Sequence, residues 1–265
     1  MAPCQPFGGL YLIKRRYERM YVSNKIDALV KKYYGSSEWV GGTSEFKQMI
    51  EDRLVPGAMV LDAGAGSGKG YTHGTYGGNI HLVGIDISPE VFENPYLDEA
   101  YCCDAGRMPF RNEEFDLVFS DYVLEHLCEP SATMLEVYRV LKPGGYFIIR
   151  TPNRWHYVPT IATVFPGSLA TGFLSTFTSR SPEDVFPTFY RCNTERSIRR
   201  IVTQVGFTVE RLVLIEKEPS YLTFSALLFR LGVLYERTVN WTTYLRHFRA
   251  NIIAAFRKER DGVTT

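Results

Sequence analysis

The segment VLDAGAGSGKG, residues 60–70, constrains the fold more than any other part of the chain. An apolar run at residues 58–61 leads into it and is typical of a short buried strand. The acid Asp62 and a series of glycines follow at once. A glycine-rich turn after a buried strand brings bare backbone to the carboxyl end of that strand, where open α/β sheets bind their ligands. The segment therefore predicts a ligand site on an α/β domain.

Two phosphate-binding motifs do not fit this segment. A Walker loop requires glycine where Ala63 stands and a Ser or Thr hydroxyl where Gly70 stands. A dinucleotide fingerprint requires glycine at a sixth position that Lys69 or Tyr71 occupies here. An acid followed by bare backbone instead suits a ligand that carries an ammonium group and a ribose but no phosphate. S-adenosylmethionine is such a ligand.

Short apolar runs alternate with helix-forming segments through the middle of the chain. Five runs predict strands, at residues 60–63, 80–85, 101–103, 115–119 and 146–149. Strands that alternate with helices predict an α/β fold, in which helices cover both faces of a parallel sheet.

Two helices are predicted between and after these strands. Segment 130–141 predicts a helix that starts with Pro130-Ser131 as its cap and has a buried face made of Met134, Leu135, Tyr138 and Leu141. Residues 194–205 predict a helix that ends at Gly206 and leads into a strand at 207–215.

The remaining segments define the domain organisation. Residues 1–57 predict an N-terminal helical extension, and residues 58–265 form the main domain. Segment 154–192 lacks clear periodicity and is long for a loop, which predicts a lid-like, substrate-side insertion after the fifth strand. Residues 220–245 predict an apolar helix. Residues 249–256 predict a strand, because their apolar run is short and flanked by charges.

Two further acids end predicted strands. Asp86 follows the second strand, where a carboxylate can accept from both hydroxyls of a ribose bound over the glycine turn. The alternative is an acid that merely precedes a helix start at Ser88. Asp104 follows the third strand, where it can accept from an adenine amino group while the Ala105 N–H faces a ring nitrogen. The alternative for Asp104 is a turn cap.

Four segments in series resemble the class I S-adenosylmethionine-dependent methyltransferases, specifically the type 11-like group with an LEHL helix after the fourth strand. They are VLDAGAGSGKG, LVGIDIS, CCDAGRMPFRNEEFDLVFSDYVLEHL and RVLKPGGYFIIRTPN, in order over residues 60–153. The resemblance implies a Rossmann-like, doubly wound sheet of seven strands, mostly parallel with an antiparallel last strand. It also implies S-adenosyl-L-methionine as the cofactor.

The resemblance also implies a set of cofactor-binding residues. It assigns Asp62, Gly64, Gly66 and Gly68 to the methionine moiety, Asp86 with its neighbour Ile87 to the ribose region, Asp104 and Ala105 to adenine, and Ser120 and Asp121 to the edge of the cofactor.

One segment departs from the family pattern. Residues 69–79, KGYTHGTYGGN, hold four glycines where the family has a full helix, so the first helix is expected to be short or irregular. The C-terminal half is similar to bacterial methyltransferases associated with surface-polysaccharide gene clusters.

A hydroxyl acceptor usually needs a base or an orienting group beside the methyl donor. The catalytic candidates are His126 in LEHL and Tyr190 beside the predicted insertion. His126 could instead be a packing residue, and Tyr190 could belong to the core. His156, within the insertion, is expected to act in a lid or to lie exposed at the surface.

Composition restricts the compartment and the partners. Five cysteines without a C-x-x-C pair and without a visible secretion signal favour a cytoplasmic protein with reduced thiols and no metal site. Residues 1–35 hold seven Lys and Arg against two acids, and residues 222–265 hold seven against three, although the net charge is only +1. These basic ends are either ordinary solvated helix faces or surfaces that lie against an anionic membrane.

Three function classes remain to be compared. The preferred one is a methyltransferase for a small-molecule, glycan or lipid-linked acceptor. This enzyme is expected in the cytoplasm, in peripheral contact with the inner membrane face. The alternative is a non-catalytic S-adenosylmethionine-binding or interaction protein of the same fold. A nucleic-acid methyltransferase is disfavoured, since SDYVLEHL follows the fourth strand in place of a base-receiving Asn/Asp-Pro-Pro-Tyr/Phe motif. The oligomeric state is left open.

Overall fold

The computed structural model describes residues 24–36, 41–68, 76, 79–164 and 187–260. The expected irregular helix within residues 69–79 lies outside this range except for Tyr76 and Asn79, as does the part of the predicted insertion at 165–186. Cys4 lies outside it as well, and the other four cysteines are free thiols.

Seven strands form one sheet in the order β3-β2-β1-β4-β5-β7-β6. They are β1 Met59–Ala63, β2 His81–Asp86, β3 Glu99–Cys102, β4 Phe115–Asp121, β5 Leu141–Pro152, β6 Phe207–Ile215 and β7 Asn251–Lys258. The pairs among β1 to β5 are parallel, whereas β7 runs antiparallel to both β5 and β6. The predicted fold class, with its antiparallel last strand, is confirmed.

Helices connect and cover the strands. Residues 24–34 form α1, and the other α-helices are α2 Gly42–Glu51, α3 Pro130–Val140, α4 Tyr157–Val164, α5 Glu195–Val205 and α6 Ala226–Trp241. Short 3-10 helices lie at Pro89–Glu93, Leu124–His126, Ser220–Leu222 and Thr243–Phe248. The apolar helix predicted over 220–245 is thus α6 between two 3-10 helices. No helix among the described residues has the length and apolar character to cross a bilayer.

Local sequence explains where α5 begins and ends. The Thr194 hydroxyl accepts from the Ser197 amide, and the Ser197 hydroxyl receives the Thr194 N–H in return, which satisfies two N–H groups at the helix start. Gly206 then takes a φ of 111°, a left-handed conformation that ends the helix. The predicted boundary at Gly206 is therefore confirmed.

The start and the buried face of α3 differ from their prediction. Pro130 opens the helix, and the residue before it makes no side-chain cap, so the cap expected from Ser131 is wrong. Met134, Val137 and Val140 are buried, whereas Leu135 is 55% exposed. The helix is rotated so that spacings of three residues face the sheet, which places Leu135 on the solvent side.

Consecutive residues of the sheet strands point to opposite faces and pack into two separate cores. Val118 and Phe147 point into a core with α3 and α5, while Phe119 and Ile148 point into a second core with α2. This alternation is the period of two expected of strands buried on both faces. A third, smaller cluster packs α1 against α6 through residues such as Leu29, Phe229 and Val233. Both faces of the sheet are therefore covered, and loops lie at the edge formed by the carboxyl ends of its parallel strands.

Candidate active site

The glycine turn after β1 depends on backbone conformations that favour glycine. Gly64, Gly66 and Gly68 have φ values of 97°, 53° and 73°. A Cβ added at Gly64 would lie 2.1 Å from Cγ2 of Val123, and one added at Gly68 would lie 2.7 Å from Oδ1 of Asn94. Close approach of neighbouring chain segments and positive φ therefore both require glycine here.

Asp86 is bound to this turn. Its Oδ2 accepts from the Gly66 amide at 2.9 Å, and its Oδ1 accepts from the Ser88 amide at 2.8 Å. Each carboxylate oxygen retains acceptor capacity for a second donor. Asp62 is buried at the end of β1, the strand paired with β2. The structure thus brings the predicted glycines and the first two acids together at one edge.

Asn94 also holds the turn, and sequence reasoning missed it. Its buried side-chain amide donates to the carbonyl oxygens of Ala65 at 3.0 Å and Gly66 at 3.3 Å. Its Oδ1 accepts from the Tyr96 amide at 3.1 Å. No local motif reports such a contact, because it joins segments 28 and 29 residues apart.

Asp104 and its neighbours lie at the next strand end. Asp104 follows β3, and its Oδ1 accepts from the Gly106 amide at 2.7 Å, which is the turn-capping contact of the alternative interpretation. Its other oxygen, Oδ2, lies outside that contact. Ala105 is partly buried against the core. Ile87, directly after Asp86, is 66% exposed and so presents an apolar surface beside that carboxylate.

Ser120 and Asp121 make structural contacts at the end of β4. The Ser120 hydroxyl donates to the Ala63 carbonyl at 2.8 Å and ties β4 to the glycine turn. Both oxygens of Asp121 pair with the guanidinium of Arg150, at 2.6 and 2.7 Å. Arg150 is buried and also donates to the Thr43 hydroxyl at 2.8 Å. Sequence reasoning placed both residues at the cofactor but did not find Arg150, whose partners come from distant segments.

The residues present fit S-adenosylmethionine. A Cβ added at Gly66 would meet nothing within 4 Å, so open space borders this backbone. Asp86 accepts from the Gly66 amide that borders this space, and Asp62 is buried near the end of β1. Carboxylates suit a ribose diol and an ammonium group. These residues would hold the methionine and ribose portions of the cofactor, and the exposed side chain of Ile87 would border its adenine side.

The catalytic candidates lie beside one another. Nδ1 of His126 is 2.9 Å from the Pro187 carbonyl oxygen, and because a carbonyl only accepts, Nδ1 must carry the proton. Nε2 is then the basic nitrogen of the neutral ring, 4.0 Å from Oε1 of Glu125. The Tyr190 amide donates to the Glu125 carbonyl at 3.2 Å, and Tyr190 has a φ of 50°. Segment 187–190 is thereby fixed against the 3-10 helix that carries His126.

A buried polar network connects the 3-10 helix that carries His126 to the end of β5. Oε2 of Glu125 accepts from the Thr151 hydroxyl at 3.0 Å, and that hydroxyl accepts from the Asn193 side chain at 2.6 Å. All three residues are buried. Sequence reasoning did not find this network, although Glu125 and Thr151 both lie within the segments that resemble the family.

His156 does not lie exposed at the surface, which was one of its two expected positions. It is buried, so the surface position is wrong. Within the described part of the chain, Nε2 of His156 and Oε2 of Glu216 have no hydrogen-bond partner, and the two atoms lie 3.6 Å apart. Burial lowers the pKa of His156 to about 4 and raises the pKa of Glu216 to about 8. Both groups are therefore neutral near pH 7.

A cationic cleft of about 600 Å³ opens beyond β5 at the same edge of the sheet. Its lining includes Trp155, Arg196, Arg199, Arg246 and His247. Glu195 lies within the group and pairs with Arg199 and Arg246, both at 3.1 Å. The cleft keeps a net positive charge, because three arginines face one acid. Among the described residues, no group of three or more His, Cys, Asp and Glu side chains could hold a metal ion.

Comparison with protein families and with a curated relative agrees with this geometry. Residues 61–149 match the model of a family described as "Methyltransferase domain". The malonyl-[acyl-carrier protein] O-methyltransferase of Marinomonas sp. (strain MWYL1) is 26% identical over 137 residues, which cover 46% of this chain and 51% of that protein. The chain spans about half the length of the curated relatives it matches.

Solved structures share the fold. The [4+2]-cyclase SpnF has a TM-score of 0.54 at 17% identity, with 92% of this chain and 95% of that chain covered. Phosphoethanolamine N-methyltransferase 2 of Haemonchus contortus, in complex with S-adenosyl-L-methionine, has a TM-score of 0.52 at 15% identity, with 92% of this chain and 60% of that chain covered. Residues 61–149 therefore form a methyltransferase domain, within a seven-stranded sheet of the order β3-β2-β1-β4-β5-β7-β6.

Proposed function

We propose that this protein is an enzyme that transfers a methyl group from S-adenosyl-L-methionine to a hydroxyl of a small-molecule, glycan or lipid-linked acceptor. The observation that carries the proposal is the contact of Asp86 with Gly66 beside the open space of the glycine turn, with Asp62 at the adjoining strand end. The cofactor supplies an electrophilic methyl group on its sulfonium. The protein supplies binding and orientation for an in-line displacement.

The cofactor-binding set is proposed residue by residue. Carboxylates would bind its polar groups, backbone would approach its methionine portion, and short side chains would border the rest: Asp62, Gly64, Gly66, Gly68, Asp86, Ile87, Asp104, Ala105, Ser120 and Asp121. Asp121 belongs to this set with a second task, because its two oxygens already compensate the buried charge of Arg150.

On the acceptor side, His126 is the proposed base and Tyr190 the proposed orienting residue. The contact from Nδ1 to Pro187 fixes the His126 ring and makes Nε2 the nitrogen that takes the acceptor's proton. The backbone contact to Glu125 fixes Tyr190 next to it. Both residues lie where segment 187–190 returns to the sheet edge.

The cationic cleft suits an acceptor that carries an anionic group. Arg196, Arg199 and Arg246 can bind a carboxylate or a phosphate, and the exposed ring of Trp155 can stack on a sugar. The malonyl group and phosphoethanolamine, the acceptors in the names of two similar proteins, are both anionic. A glycan phosphate still attached to its lipid carrier combines these properties. The protein would then work in the cytoplasm, in peripheral contact with the inner membrane face.

The test combines binding and transfer. Calorimetric titration with S-adenosylmethionine and S-adenosylhomocysteine measures the cofactor site, and transfer of a labelled methyl group to glycolipid extracts measures activity. In His126→Asn, the amide keeps a donor for the Pro187 carbonyl but has no basic nitrogen. We expect unchanged cofactor affinity and transfer lowered by about a hundredfold, the usual contribution of a general base.

The outcomes separate the two function classes. Cofactor binding with transfer to an extract component establishes the enzyme. Cofactor binding without transfer to any glycolipid, polar-lipid or small-metabolite fraction favours the non-catalytic binding protein. No cofactor binding by the folded protein contradicts both.

A further inference from the structure

α6 exposes an apolar face to solvent. Leu227, Leu231 and Leu234 are 68%, 51% and 62% exposed, and Trp241 is 89% exposed. Their spacings of four, three and seven residues place them on one side of the helix. Phe229 and Val233, on the other side, are buried against α1. The four exposed residues are called the α6 face below.

The apolar surface continues beyond the helix. Tyr244 is 89% exposed and Phe248 46% exposed on the 3-10 helix that follows α6 directly. Contiguous exposed apolar surface of this kind marks a site of interaction in a folded protein. Aromatic rings with a polar atom, such as those of Trp241 and Tyr244, are typical of surfaces that are apolar on one side and hydrated on the other.

Cations border the α6 face. Arg230 and Arg237 are exposed on α6. α1, which packs against the buried side of α6, adds the exposed Lys25, Lys31 and Lys32 against one exposed acid, Asp27. The single acid of α6, Glu236, accepts hydrogen bonds from Tyr34 and Asn240. The charge that borders the apolar surface is therefore positive.

We propose that the α6 face docks on an anionic lipid bilayer, with α6 lying in the plane of the membrane interface. The leucines and Trp241 enter the boundary between headgroups and acyl chains, while Arg230 and Arg237 bind lipid phosphates. This inference deepens the peripheral membrane contact proposed above and rests on it. It also accounts for the position of the cationic cleft, because the 3-10 helix after α6 contributes both Tyr244 to the exposed surface and Arg246 to the cleft.

A second copy of the chain suits this surface less well. A symmetric dimer brings the same patch of both copies together. Arg230 and Arg237 would then face their own copies across an apolar contact, and like charges in such a contact repel. An anionic bilayer instead matches both the apolar stripe and its positive border.

Vesicle sedimentation tests the proposal with the full chain. The probes are phosphatidylcholine vesicles with and without phosphatidylglycerol, at low and at high salt. We expect binding to the anionic vesicles at low salt. The double variant Leu231→Ser/Leu234→Ser should lower the partition coefficient about tenfold or more, since exposed leucines leave water on docking. Arg230→Glu should weaken binding to vesicles that contain phosphatidylglycerol and leave binding to pure phosphatidylcholine vesicles unchanged. Leu135→Ser, at an equally exposed leucine of α3, is the matched control and should bind as wild type.

Calorimetric binding of S-adenosylmethionine is measured on the same samples, so that loss of the cofactor site and loss of docking are distinguishable. Sedimentation that requires phosphatidylglycerol and fails only in the α6 variants supports the proposal. A wild-type protein that binds cofactor but stays in the supernatant overturns it. So does a wild-type dimer that the double leucine variant dissociates, because the α6 face would then cover a second copy.

Discussion

Asp86 accepts a hydrogen bond from the Gly66 amide at 2.9 Å, so the second strand directly holds the turn that follows the first. We expect Asp86→Asn to weaken S-adenosylmethionine binding at least tenfold, because a hydrogen bond to a charged group contributes about 1.5–3 kcal/mol. Calorimetric titration measures the change. Asp98→Asn is a matched control, since Asp98 also accepts from a backbone amide, that of Leu82, at the opposite end of β2. Equal affinities of wild type and Asp86→Asn would contradict the ribose assignment.

Gly64 and Gly66 should respond differently to alanine. In Gly64→Ala the new Cβ would lie 2.1 Å from Val123, at a φ of 97°, so we expect stability to fall by about 2–4 kcal/mol. In Gly66→Ala the Cβ meets no protein atom within 4 Å, so only the positive φ of 53° lowers stability, by about 1–2 kcal/mol, and we also expect weaker cofactor binding. Denaturant unfolding and calorimetry separate the two. Gly64→Ala combined with Val123→Ala should recover part of the stability; no recovery would exclude the side-chain clash as the cause.

Asn94 should influence cofactor binding without touching the cofactor. Asn94→Asp replaces its donor by a carboxylate that faces the carbonyl oxygens of Ala65 and Gly66. We expect a stability loss of about 1–3 kcal/mol and a lower cofactor affinity. Asn112→Asp is the control, because Asn112 only accepts from Arg139 and a carboxylate can do the same. A stable Asn94→Asp variant with normal cofactor affinity would show that the glycine turn keeps its conformation without the Asn94 hydrogen bonds.

Asp121 is the counter-ion of the buried Arg150, and this ion pair should matter for folding. Asp121→Asn leaves the buried guanidinium without its counter-charge, for which we expect a loss of about 3–5 kcal/mol. Glu51→Gln removes a surface pair with Lys47 and should change stability by about 0–1 kcal/mol. Denaturant unfolding of both variants tests the difference. A small effect in Asp121→Asn would mean that Thr43 and the neighbouring rings suffice to hold Arg150.

Glu216 should make the protein less stable as the pH rises. Burial raises its pKa from 4.5 to about 8, so the unfolded chain releases this proton earlier than the folded one. Stability therefore falls between these pH values, and Glu216→Gln should remove that fall. His156, with a pKa lowered from 6.5 to about 4, affects stability only as the pH drops below 6.5. Melting temperatures measured from pH 6.5 to 8 isolate Glu216, because burial raises the pKa of the Cys103 and Cys192 thiols and these affect stability at higher pH. Parallel profiles of wild type and variant would refute the prediction.

The sequence predicted the sheet because strands and their ends are local features. Asp62 and Asp86 end apolar runs, and strand ends in a parallel sheet meet at one edge whatever the loops contain. Contacts between distant segments leave no such pattern, which is why Asn94 and Arg150 were missed. His156 was misplaced because it packs against distant segments, beside Tyr235 of α6 and Glu216 after β6.

Face assignments on helices were less secure for a related reason. The apolar residues of α3 support two stripes that differ by a small rotation, and only the packing of α3 against the sheet and α5 selects between them. Leu135 was assigned to the wrong stripe and is exposed. Sequence periodicity predicts that a helix is amphipathic, but it does not predict which neighbour each side chain contacts.

The position of β7 between β5 and β6 has a consequence for synthesis of the protein. A ribosome makes the chain from its amino terminus, so β6 emerges well before the strand it must pair with. Until residues 251–258 follow, β5 and β6 both present open edges, and such edges attract other unfolded chains. Release of β7 from the exit tunnel is therefore the event that closes the sheet, and nascent chains stalled before it should be the ones that chaperones retain.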